Sequence, residues 1–63
     1  MTTLKVDCLK AIDQLSNLRL ESAVLVEQMQ YLGMDPKEQN ELNDVIDDAL
    51  ATCLRVYLTA VGE

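Results

Sequence analysis

The chain has 63 residues, two cysteines and no histidine, and its formal net charge is −6. A chain of that length forms one domain at most and buries only roughly 60% of its unfolded surface, so it needs a disulfide, a metal or another chain to be more than marginally stable. Five Lys and Arg against eleven Asp and Glu give no basic footprint for nucleic acid or an anionic membrane surface, and without histidine or a Cys-x-x-Cys pair there is no ligand set for zinc.

The first predicted helix covers residues 3–32, a stretch free of Pro and Gly. Thr3 is placed to cap it. Its apolar positions alternate four and three apart through Leu4, Cys8, Ala11, Leu15, Leu18, Ser22, Leu25, Met29 and Leu32, a heptad seam with Ser22 as its one polar member. Ser16 and Asn17 form its weak point, since both side chains compete for backbone hydrogen bonds. Up to Leu15 the helix is amphipathic. From Leu18 to Val26 apolar residues go most of the way round it, which calls for cover on more than one face.

Residues 33–35 are the predicted turn. Gly33 can take the left-handed conformation that closes a helix. Asp35 can accept a hydrogen bond from a free N–H of the next helix, Pro36 suits its first position, and Glu38 sits where a side chain reaches back to the cap. The second helix then covers residues 36–61. Its seam is Leu42, Ile46, Ala49, Cys53, Val56 and Ala60, with a second stripe of Leu50, Leu54, Tyr57 and Val61 beside it. Its acids, Asp35, Glu38, Glu41, Asp44, Asp47 and Asp48, crowd the first half. The first of them complement the helix dipole, and the rest read as a solvated face.

So short a corner makes the two helices antiparallel neighbours. The fold class is therefore all-α: a two-helix hairpin, completed to a four-helix bundle by self-association or by a partner's helices. Facing residues then have numbers adding to roughly 68, given the rise of about 1.5 Å per residue. Cys8 and Cys53 fall out of register by about seven residues, or ~10 Å, too far for a disulfide. Both read as small buried hydrophobes. The apolar surface left over once the hairpin closes, Leu20, Val24, Leu50, Leu54, Tyr57 and Val61, is the expected partner-binding face.

No catalytic chemistry is legible. There is no base active near neutral pH, no glycine-rich phosphate loop, and no electropositive setting for either thiol. No cofactor, metal or small-molecule substrate is expected. The longest apolar run is Ala23, Val24, Leu25 and Val26, far too short to span a bilayer. Lys5, Asp7, Lys10 and Asp13 interrupt any secretory signal core, so the expected location is the cytoplasm.

In layout the chain resembles the small helical-hairpin co-chaperones of type III secretion needle subunits. The shared features are the long heptad-like helix from Thr3 to Leu32, the Asp35-Pro36 start of a Gln- and Glu-rich second helix, and an aliphatic C-terminal half with Tyr57. The resemblance is architectural and rests on no specific motif. It implies docking on a tetratricopeptide-like chaperone that holds an aggregation-prone needle subunit. The leading expectation is a non-enzymatic interaction module, pairing with itself or with a helical partner. The alternative is an acidic inhibitor or antitoxin-like protein of phage type, whose Asp44, Asp47 and Asp48 face blocks a basic nucleic-acid-binding site.

Overall fold

A computed structural model describes residues 3–62 and contains two helices. The first, α1, is Leu4–Tyr31, and the second, α2, is Lys37–Val61. Each begins one residue inside its expected range, and α1 also ends one residue early. Thr3 caps α1 as expected: its extended backbone turns the hydroxyl toward the Val6 N–H, 3.3 Å away. Helix α1 runs unbroken through Ser16 and Asn17. The backbone-competing bonds feared there appear instead in α2, where the Thr52 and Thr59 hydroxyls donate to the Asp48 and Arg55 carbonyls one turn back.

The corner is built almost as its residues dictate. Gly33 has φ of 76°. The Met34 N–H reaches the Met29 carbonyl and the Gly33 N–H the Gln30 carbonyl, at 2.8 and 3.1 Å. This bond pair is the Schellman closure, which satisfies carbonyls the helix end leaves free. The Asp35 carboxylate accepts from the Lys37 N–H at 3.0 Å. Pro36 stays just outside the helix with ψ near 15°, and its carbonyl takes the first helical bond, from Asn40. Among the described residues no bond returns from Glu38 to the Asp35 N–H, so the cap is one-sided.

The two helices pack along their length into a slender rod of 49 × 18 × 12 Å. Its radius of gyration is 14.8 Å, against about 10.6 Å for a compact domain of this length. Polar pairs set the register. The Arg19 Nε donates to Asp47 Oδ1 at 2.9 Å. The Ser22 hydroxyl donates to Asn43 Oδ1, and Gln39 Nε2 donates to Ser22 Oγ at 2.6 Å. Those pairs put facing residues two or three positions closer to the corner than predicted. Cys8 and Cys53 are both free thiols, as their spacing requires.

The seam itself differs from the expected one. On α1 it follows Cys8, Ile12, Leu15, Arg19, Ser22, Val26 and Met29, and on α2 Gln39, Asn43, Ile46, Leu50, Cys53, Tyr57 and Ala60, all buried or half-buried. Leu18 and Leu25, expected inside, are 45% and 47% exposed, and Leu42 and Val56 are exposed as well. Both seams have the four-three alternation, and they share Cys8, Leu15, Ser22 and Met29 on α1 and Ile46, Cys53 and Ala60 on α2. The structure closes on the alternative that brings in Arg19, Gln39 and Asn43, which pair across it with Asp47 and Ser22.

Candidate interaction surface

Among the described residues two apolar side chains, Cys8 and Ile46, are buried, beside two polar ones, Ser22 and Asn43. So little apolar burial is far below what ordinarily offsets the entropy of ordering sixty residues. The leucines and valines are elsewhere. Leu18, Leu20, Val24, Leu25, Leu42, Val45, Leu54, Val56, Leu58 and Val61 are all exposed.

They sort into two broad sides of the rod. A helix turns about 100° per residue, so Leu4, Ala11, Leu18, Leu25 and Leu32, seven apart, form one row along α1. Leu42, Ala49 and Val56 form the matching row on α2, with Val45 beside it. Both helices are right-handed and run antiparallel, so these two rows border the seam on the same side. The Arg19–Asp47 bridge closes the opposite side. There Leu20, Leu54 and Val61 are exposed, with Leu20 at 67%, while Val24 lies near the outer edge of α1. Of the six residues expected on a docking stripe, Leu20, Val24, Leu54 and Val61 are therefore open to contact. Leu50 and Tyr57 are half-buried in the seam and serve mainly to hold the hairpin.

The missed residues had a legible signal. Gln39 and Asn43 extend the spacing of Ile46, Leu50, Cys53 and Tyr57 back to the start of α2, but their polarity disguises the row. On the first helix Ile12, Arg19 and Val26 do the same.

The Ser22 hydroxyl lies between two amides, Asn43 and Gln39, and neither is a base that could activate it. No cluster of three or more potential metal ligands occurs among the described residues. A hollow beside Glu27, Gln28, Tyr31 and Leu32 belongs to the last turns of one helix and lies open to solvent. No described helix is long and apolar enough to cross a membrane. Acids remain exposed at Asp44 and Asp48, whereas Asp47 is tied to Arg19. No family model, curated protein or solved structure matches the chain.

Proposed function

We propose that this chain is a non-enzymatic protein–protein interaction module, acting in the cytoplasm, that docks an apolar helical face on other helices. One observation carries the reading: the exposed flanks of the rod hold more large apolar side chains than the seam does. Exposed patches of that kind mark surfaces meant for contact, and each such side chain contributes about 1.5–3 kcal/mol when covered. The layout shared with the type III secretion needle-subunit co-chaperones gives the proposal a specific form, in which the partner is a chaperone of tetratricopeptide type.

The acidic-inhibitor reading predicts a different dependence. Apolar docking fails when Leu20→Asp or Leu54→Asp is introduced and changes little with salt. Blocking of a basic site fails when Asp44→Lys and Asp48→Lys are combined, and it weakens steeply with ionic strength. Binding measured for these variants at low and high salt separates the two. For the chain alone, docking predicts an oligomer or a poorly helical monomer. A stable, fully helical monomer at low micromolar concentration contradicts it.

A further inference from the structure

We infer that the side of the rod formed by Leu18, Leu25, Leu42, Val45 and Val56 takes a second copy of this chain, making a two-fold symmetric four-helix bundle. This rests on the reading of the chain as a helix-docking module and specifies one occupant for one side.

Three observations select a second copy. The first is register. Leu18 is the middle of the row from Leu4 to Leu32, and Ala49 is the middle of the row Leu42, Ala49, Val56. The Arg19–Asp47 and Ser22–Asn43 pairs place those two midpoints at nearly the same height along the rod, within about 3 Å given the helical rise. A single two-fold axis through that level, perpendicular to the rod, superposes both rows on themselves. Leu18 meets Leu18 of the second copy, Leu25 meets Ala11, Leu32 meets Leu4, Leu42 meets Val56 and Ala49 meets Ala49. The central layer then holds two leucines and two alanines, and the next holds one leucine and one alanine from the first helices against a leucine and a valine from the second. Like faces like in the central layer, and in the next a leucine faces an alanine on the first helices and a leucine faces a valine on the second. An isologous contact needs such a self-match, and these rows provide it.

The second observation is charge. Each copy carries a net −6, so a self-interface must keep acids apart. The row bordering Leu18 and Leu25 is Asp7, Gln14, Glu21 and Gln28. The axis sets Asp7 beside Gln28 of the second copy, and Gln14 beside Glu21. Beside the second helix, Val45 falls near Thr52 and Glu38 near Thr59. No acid is opposed by an acid.

The third is area. The chain exposes 4884 Å² at 7.0 kDa, where a compact monomer of that mass exposes about 4,000 Å². The excess is close to the ~800 Å² that each partner buries in a standard interface. The face lies across the rod's thin dimension of 12 Å, so stacking two copies gives the squarer section of a four-helix bundle.

Sedimentation equilibrium of the full chain tests this directly, with helix content followed alongside. The expected species is a helical dimer. Leu18→Asp is expected to raise its dissociation constant roughly 100-fold or more, while Leu58→Asp on the other side leaves it within about threefold. Leu18→Cys, in a chain whose Cys8 and Cys53 are replaced by Ala, is expected to oxidise to a covalent dimer, and Leu58→Cys is not. A dimer dissolved by Leu58→Asp and indifferent to Leu18→Asp overturns the inference, as does a poorly helical monomer. Both leave the docking reading standing. A compact, fully helical monomer overturns both.

Discussion

The seam and the flank of this hairpin invert the usual order of a folded domain. Where the helices face each other, Arg19, Ser22, Gln39 and Asn43 sit among the aliphatic residues and bond across the seam. Where they face outward on one side, Leu18 and Leu25 on α1 and Leu42 and Val56 on α2 stand in two uncharged rows, with Val45 beside the second. The inner groups give direction, since hydrogen bonds fix one register and a slip would leave Ser22 and Asn43 buried without partners. The outer groups would give adhesion to whatever covers them, which has no direction of its own. On the proposed reading, the hairpin is specified from within and stabilised from without.

The largest break comes at the flank. Combining Leu18→Asp with Leu25→Asp removes two side chains worth about 1.5–3 kcal/mol each when covered, and it should strip most helical signal from the chain at micromolar concentration in circular dichroism. The same pair of changes in a hairpin held by its seam would cost little. Next comes the polar centre. Asn43→Ala leaves the Ser22 hydroxyl, 2% exposed, without its acceptor, and should lower stability by about 1–3 kcal/mol in urea titration. The double change Asn43→Leu with Ser22→Ala should recover most of that stability while broadening the side-chain NMR spectrum, because the register device is gone. Gly33→Ala meets no neighbouring atom, so its cost is backbone strain alone at φ of 76°, about 1–2 kcal/mol in thermal melts. The smallest effect belongs to Arg19 and Asp47. Both side chains are partly exposed, and a double-mutant cycle should give a coupling below ~1 kcal/mol that shrinks further with added salt.

Most of the corner is legible in the sequence because its signals are local, although Pro36 falls one position outside the helix and Glu38 does not reach back. Gly33, Asp35 and Pro36 each act on backbone within a few residues, and no tertiary contact competes. Thr3 was legible for the same reason. The seam was not, because each helix carries two interleaved four-three rows and only one can face the other helix. Hydrophobicity favours the row with Leu18, Leu25 and Leu42. The structure chose the row with Arg19, Val26 and Asn43, since a polar group's partner lies on a distant segment that periodicity does not reveal. The docking stripe carries the same ambiguity: a phase that turns Leu42 and Val56 inward turns Leu50 and Tyr57 outward. What survives in either phase is a surplus of apolar surface, a property of composition and length that register does not alter.

The account turns on whether the hairpin depends on contacts beyond its own seam. Thermal unfolding of the isolated chain, followed by circular dichroism over a hundredfold range of concentration, reads this most directly. The midpoint should climb steadily as the chain is concentrated, because unfolding then releases chains from one another. A midpoint that stays fixed across the whole range, with full helix content at the most dilute point, would mean that the seam suffices.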